Sequence, residues 1–279
     1  MEILNLINFG SKYLKAKNIT SHRLDSEILL SKVLNKSREQ ILINLREKIK
    51  KNDKKIFYKL IKRRSSKEPI AYILKKKEFW SKDFIVNKKT LIPRPETELI
   101  VEKIVRLFHK KKINILDIGT GSGCILLSIL SELKNSKGVG IDISHKAIKI
   151  AKKNAKKHKL ILRSKFYVRS LSEIYNNVYD LIVSNPPYIK RKDIKNLDDD
   201  IKKFEPKLAL DGGNDGLDLV KKVIYKSKYI LKIKGTLALE IGNEQIKKVS
   251  KILIDNNFRI EQVIKDYKNN VRCVLANYK

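Results

Sequence analysis

The chain is poor in the residues that would hold a metal or a disulfide framework. Among 279 residues there are two cysteines, Cys124 and Cys273, and four scattered histidines. That count gives no disulfide scaffold and suits a reducing, cytoplasmic compartment. No Cys/His spacing matches a metal site, so no metal is expected. No apolar run approaches the ~20 residues of a membrane helix. The opening "MEILNLINFGSKYLK" does not follow a signal peptide's order of basic region, apolar core and small-residue cleavage site. Acidic residues are also scarce: 30 Asp and Glu face 63 Lys and Arg, a formal net charge of +33. An excess of that size is the footprint of a nucleic-acid partner when it is clustered. Here Lys is spread along the whole chain beside abundant Ile and Asn, the pattern of an A/T-rich coding bias, and that reading is preferred over RNA proximity. In "AKKNAKKHK" (151–159) the alanines sit four apart and the lysines fill the outer face, as on a solvated helix.

What is present begins with helix. Between Gly10 and residue 74 there is no glycine and no strand alternation. Leu24, Ile28, Leu29, Val33 and Leu34 recur at helical spacing, followed by Ile41, Leu42 and Leu45, and Ser21 stands where a helix cap would. Residues 1–74 are therefore expected to form a small all-helical domain. Short aromatic and β-branched runs in "EFWSKDFIVNKKTLIP" make residues 75–93 a hairpin-like linker. From 94 to 279 the texture alternates. Strands are expected at 113–118, 137–143, 165–168, 179–185 and 236–242, with helices at 123–133, 144–158, 216–231 and 243–256. The final runs "FRIEQVI" and "VRCVLANY" are separated by too few residues for a parallel crossover. The fold class is thus α/β: a Rossmann-like, mostly parallel sheet with an antiparallel edge hairpin, preceded by the helical domain. Ligands of such sheets bind beyond the carboxyl ends of the strands.

Two segments lie there. In "DIGTGSG" (117–123), Gly119, Gly121 and Gly123 permit a tight turn and close approach of a ligand to the backbone. Asp142 ends the next strand, where an acid can bind both hydroxyls of a ribose. Asp117 precedes the loop, where it can pair with a cationic amine but would oppose a pyrophosphate. Loop and acids together favour S-adenosylmethionine, although Asp142 alone would read equally well as a helix cap. The second segment, "SNPPYI" (184–189), ends a buried run with an amide, two prolines and an aromatic ring. The prolines make it a stiff arm leaving the sheet.

A Gly-rich loop, an acid after the second strand and "NPPY" after the fourth resemble class I methyltransferases that modify planar nitrogens in DNA, RNA or protein. Further segments narrow the resemblance: "LDSEILLSKVL" (24–34), "EPIAYI" (68–73), "LIPRPETELIV" (91–101), "EPKLALDGGNDGL" (205–217), "EIGNEQ" (240–245) and "KDYKNNVR" (265–272) are similar to the glutamine-N5 methyltransferases of peptide chain release factors. The resemblance implies an amino-terminal substrate-docking bundle on a Rossmann-like catalytic domain. It implies methylation of the glutamine of the Gly-Gly-Gln motif in class I release factors 1 and 2, by a monomer with no sequence-specific nucleic-acid or membrane partner. Asp117, Gly119, Thr120, Gly121, Ser122, Gly123, Asp142, Ser170 and Asn185 are the implied cofactor residues. Asn185, Pro186, Pro187 and Tyr188 are the implied substrate residues, with Asn185, Pro186 and Tyr188 catalytic.

The residues supply a mechanism. Asn185 Oδ1 and the Pro186 carbonyl are acceptors for the two hydrogens of a glutamine NH2, and Tyr188 is a surface for the amide plane. Positioning and desolvation of that kind can supply on the order of 7–11 kcal/mol. Where the family has an acidic-then-aromatic pair after the third strand, this chain has Ser170 and Leu171. Arg94 and Glu96 are expected to be structural, and Cys124 to be a small packing residue. Two rival readings share the motif set: a nucleic-acid methyltransferase, for which the helical domain is small as a base-reading module, and an RNA-binding protein with a degenerate fold, against which the intact Asp117, Asp142 and Asn185 stand.

Overall fold

The computed structural model describes residues 1–175 and 178–279. The chain divides into two compact units, Met1–Lys75 with Asp198–Phe204, and Lys76–Leu197 with Glu205–Lys279.

The first unit is helical: α1 (Ile3–Lys15), α2 (His22–Leu34), α3 (Arg38–Ile43), α4 (Lys51–Ser65) and α5 (Ile70–Leu74). Its core is Ile3, Leu6, Ile7, Leu14, Leu29, Leu30, Ile41, Phe57 and Ile61. The stripe expected on α2 is shifted. Leu24 is exposed, whereas Asp25, Ser26 and Glu27 are buried. Charge pairing makes this possible, since a buried carboxylate needs a partner. Arg64 Nε donates to Asp25 at 2.7 Å, and Glu27 accepts from Arg23 (3.2 Å) and Arg38 (2.7 Å). Ser21 is the residue before α2, but its hydroxyl donates to Asp25 at 2.8 Å and caps no backbone N–H. A capping box at α3, Ser37 with Gln40, was not anticipated.

The second unit opens with a hairpin, β1 (Lys76–Phe79) and β2 (Lys82–Ile85). Its two-residue turn puts Trp80 and Ser81 both at φ +52°, the left-handed geometry a tight hairpin requires. Trp80 holds it in place, donating from its backbone to Glu98 and from its indole to Glu132, both at 2.9 Å. Next come α6 (Glu98–Leu107), a helix the periodicity did not single out, β3 (Asn114–Ile118), α7 (Cys124–Glu132), β4 (Lys137–Asp142), α8 (His145–Lys157), β5 (Ser164–Val168) and β6 (Tyr179–Ser184). The chain then passes through α9 (Asp199–Phe204), which belongs to the first unit, and returns as α10 (Asp218–Ile230), β7 (Leu231–Glu240), α11 (Ile246–Asp255), β8 (Phe258–Lys265) and β9 (Val271–Tyr278).

The seven-stranded sheet runs β5-β4-β3-β6-β7-β9-β8. β3 to β7 are parallel, and β9 and β8 close the edge antiparallel, as expected from the short link between them. Side chains alternate across it with the period of two that a strand imposes. Ile115, Leu181, Val183, Ala238 and Leu275 face one apolar layer with α6, α7 and α8. Leu116, Ile182, Leu237, Leu239 and Val274 face the other with α10 and α11. β3 and β6 are neighbours although a crossover through β4 and β5 separates them in sequence. This is the topological switch point, where a crevice opens beyond the strand ends.

Candidate active site

Register brings the site residues together. β3 pairs with β6 so that Ile118 lies opposite Ser184, and with β4 so that Ile118 lies opposite Ile141. The residues that follow, Gly119, Asn185 and Asp142, therefore leave the sheet at one edge. Ser184 Oγ donates to Ile118 O at 2.7 Å and locks the two strand ends.

The glycine loop is a backbone cradle. Gly119 and Thr120 both donate to Ile141 O at 2.9 Å, and Gly121 N donates to Asp142 Oδ2 at 3.0 Å. Gly119 and Gly121 take φ of +71° and +54°, and a Cβ placed on Gly119 would meet nothing within 4 Å. The space beside the loop is open to a ligand, and glycine is required for conformation, not for want of room. Asp142 also accepts from Ser144 N at 2.8 Å, so the acid is both a loop anchor and the lead-in to α8. Ser144, not Asp142, caps that helix with its side chain. Burial raises the Asp142 pKa. Asp117 is entirely buried. Its Oδ2 accepts from Thr120 Oγ1 at 2.6 Å, while Oδ1 has no hydrogen-bond partner among the described residues. Burial pushes its pKa up to about 7. An orphan carboxylate oxygen behind an open glycine cradle, with a second acid on the next strand, fits a ligand carrying a cation and vicinal hydroxyls.

Of the other implied cofactor residues, Thr120, Ser122 and Gly123 belong to the same loop and Ser170 stands apart. Thr120 and Ser122 are buried within the loop, and Gly123, at φ +80°, immediately precedes α7. Ser170 lies two strands from β3, at the end of β5, where it caps the short turn Leu171–Glu173 with its hydroxyl. Leu171 packs against the apolar layer of α10.

The arm after β6 is held by its own scaffold. Ile189 N donates to Leu210 O (3.2 Å), Gly212 N to Ile189 O (2.8 Å) and Arg191 N to Gly213 O (2.8 Å), so residues 210–213 pair with the arm like a short strand. A Cβ on Gly212 would come within 2.8 Å of Pro187 O, and one on Gly216 within 2.5 Å of Tyr188 O. The glycines of "DGGNDGL" are thus set by close backbone approach. Gln245 Nε2 ties Tyr188 O (3.0 Å) to Gly216 O (3.1 Å).

At the base of the arm a relay of side chains converges. β6 and β7 pair with Ser184 opposite Leu239, which sets Glu240 beside Asn185. Thr97 Oγ1 donates to Glu240 Oε2 at 2.6 Å, Asn185 Nδ2 donates to Thr97 Oγ1 at 3.3 Å, and Tyr188 Oη donates to Glu240 Oε1 at 3.3 Å. Glu240 is buried, which pushes its pKa up to about 7; burial and the Glu240 charge also raise that of Tyr188. Thr97 was not among the expected residues, though it lies inside "PRPETE". Arg94 of the same motif donates to the buried Glu205 at 2.6 Å. Asn154 is a further omission. Inside the lysine-rich α8 it is wholly buried, bonding Ile85 N (2.7 Å), Ile85 O (3.0 Å) and Ser122 O (2.8 Å), and so joins the hairpin to the glycine loop. Cys124 packs in the core, where burial pushes its thiol up to about 12.

Comparison with known proteins covers both units. Residues 5–74 match the PrmC N-terminal domain and residues 109–274 a methyltransferase domain. A release factor glutamine methyltransferase of Fusobacterium nucleatum is 39% identical over 99% of this chain and 78% of the relative. One from Buchnera aphidicola is 42% identical over 95% of this chain and 96% of the relative. The chain spans about half the length of the Rickettsia bifunctional methyltransferases it also matches. Among solved structures, the hMettl16 catalytic domain in complex with an RNA hairpin superposes with a TM-score of 0.57 at 16% identity, over 70% of this chain and 75% of that one, a likeness of fold alone. With the amino-terminal domain and the methyltransferase domain matched in order, and release factor glutamine methyltransferases 39% and 42% identical covered over 78% and 96% of their length, the chain belongs to the release factor glutamine methyltransferase family.

Proposed function

We propose that the protein transfers a methyl group from S-adenosylmethionine to the side-chain nitrogen (N5) of the glutamine in the Gly-Gly-Gln motif of class I release factors 1 and 2. The observation that carries this reading is the orientation of Asn185. Its Nδ2 donates to Thr97, which turns its oxygen away from Thr97 to face a substrate, and an amide NH2 needs an acceptor there.

S-adenosylmethionine supplies an electrophilic methyl group. The roles of the chain's own residues follow from their chemistry. Asp117 faces the cationic amine with its unpartnered oxygen, and Asp142 takes the ribose hydroxyls with lone pairs not used by Gly121 and Ser144. Gly119, Thr120, Gly121, Ser122 and Gly123 form the cradle, and Ser170 borders the adenine side. Asn185 Oδ1 and the Pro186 carbonyl hold the two amide hydrogens of the substrate, which draws electron density onto a nitrogen otherwise delocalised into its carbonyl. Pro187 stiffens the arm, and the Tyr188 ring covers the amide plane and excludes water. The nitrogen becomes acidic as it is alkylated and releases its proton to solvent, so the site requires no general base. Residues 1–74 dock the release factor, because the pocket alone reads a single glutamine; intact factor should be turned over at far higher kcat/KM than a short Gly-Gly-Gln peptide, and equal values would remove the docking role.

The test is methyl transfer from labelled S-adenosylmethionine to a release factor, beside its Gly-Gly-Gln→Gly-Gly-Ala variant and a panel of DNA and RNA. Label on the unaltered factor alone is the expected result. Label on nucleic acid would retain the chemistry and overturn the substrate.

A further inference from the structure

The function proposed above uses Asn185 and Tyr188 but leaves unexplained why a carboxylate is buried behind them. We infer that Glu240 is a positioning residue whose ionised form fixes the direction of the hydrogen-bond relay and so turns the Asn185 oxygen toward the substrate amide. The inference rests on the reading that Asn185 accepts from that amide.

The argument is one of proton counting. The Thr97 hydroxyl has a single proton, and it points to Glu240 Oε2 at 2.6 Å. The hydroxyl must then accept, and it accepts from Asn185 Nδ2 at 3.3 Å. The Asn185 amide is thereby oriented with Nδ2 toward Thr97 and Oδ1 directed away from it. Tyr188 spends its proton on the other carboxylate oxygen, Oε1, at 3.3 Å. A carboxylate is acceptor-only, so it takes both protons without offering one back. A protonated Glu240 would have a donor of its own. Thr97 could accept from it and hand its proton to Asn185, and the Asn185 NH2 would then face the substrate NH2, donor against donor. Ionised Glu240 is therefore the state that permits the grip.

The groups facing Glu240 set where it changes state. Thr97 and Glu96 come from the turn before α6, Tyr188 from the arm, and Cys273 and Arg272 from β9, where Cys273 pairs with Glu240 across the strands. Burial raises the Glu240 pKa and the Glu96 charge adds to that; Thr97, Tyr188 and the cation of Arg272 oppose it, Arg272 itself being held by Asp266 at 2.8 Å. The balance lies at about 7, inside the range an assay can sweep.

The experiment is steady-state methyl transfer to a release factor across that range for the full-length protein and for Thr97→Val, Thr97→Ser and Glu240→Gln, with cofactor affinity and melting temperature measured on each. For the unaltered protein kcat should fall as pH drops through about 7. Thr97→Val keeps the side chain's shape and deletes the relay, so kcat should drop on the order of a hundredfold, the size expected when a reacting group is misoriented, with cofactor affinity retained. Thr97→Ser, which restores the hydroxyl, should recover most of that loss, as a purely structural role for the Thr97 methyl group would not allow. Glu240→Gln should lower kcat and abolish the acid limb, since its amide accepts one proton and offers others. A folded Thr97→Val protein with unaltered kcat, or an acid limb that persists in Glu240→Gln, would overturn the inference. Absence of transfer to the glutamine by the unaltered protein would instead overturn the functional reading on which it rests.

Discussion

Asp117 is the residue whose removal should help the folded chain and harm its chemistry, and the size of the gain follows from its surroundings. The carboxyl is fully buried with one oxygen unpartnered, and burial pushes its pKa from an ordinary 3.8 up to about 7. At about 1.36 kcal/mol per pKa unit, ionising it in the folded chain costs about 4 kcal/mol more than in the unfolded chain. Because the folded pKa is the higher one, the folded chain is most favoured below the ordinary pKa, and that advantage is lost as pH rises to about 7. Linkage puts the penalty at about 2 kcal/mol near about pH 5 and about 4 kcal/mol near about pH 8. Asp117→Asn cannot ionise, and its carbonyl still accepts from Thr120, so whatever its fixed packing cost, its stability relative to the parent should improve by about 2–3 kcal/mol between those two conditions. For a chain of this size that is roughly 3–5 °C in melting temperature. Calorimetric melts of the ligand-free parent and variant at both pH values measure it directly, and Glu240, common to both proteins, cancels. A melting difference that does not change with pH would refute the account of Asp117 as a buried, costly charge. The same variant should bind S-adenosylmethionine more weakly, since the acceptor for its amine has lost its charge.

Other substitutions separate the parts of the site. Asp142→Ala strands Gly121 N and Ser144 N as well as removing the ribose acceptor, so cofactor affinity should fall by about tenfold or more; titration calorimetry showing unchanged affinity would contradict the assignment. Asn185→Ala should abolish methyl transfer yet leave cofactor affinity close to the parent value, and a variant that still turns over normally would remove Asn185 from the mechanism. In the helical unit, Asp25→Ala leaves Arg64 buried beside an empty site, which should cost about 3 kcal/mol. Urea unfolding would show the loss as a lower midpoint, and an unshifted midpoint would mean that the pair contributes nothing net.

Much of this protein could be read along the chain, because its signals are local. A β-branched run, a glycine loop whose residues need positive φ, or a double proline acts through its nearest neighbours, so the order of the sheet strands, the antiparallel edge and the two ligand-facing segments were visible in one dimension, whereas α6 and α9 were not. The α2 stripe was misread for the complementary reason: Asp25 and Glu27 are buried only because arginines arrive from elsewhere, Arg64 from 39 residues away. The resemblance marked Glu240 without a role, and Thr97 and Asn154 escaped notice, for the same reason. Thr97 meets Glu240 across 143 residues and Asn185 across 88, and Asn154 reaches the hairpin across 69. Such bonds have no period and no spacing to recognise. They exist because the register of β6 against β7 and the turn before α6 set those atoms within hydrogen-bonding distance. The sequence by itself determined the fold class, the glycine cradle and the stiff amide-bearing arm. Only the tertiary structure decided which way the Asn185 amide faces, because that direction depends on where one buried carboxylate accepts its protons.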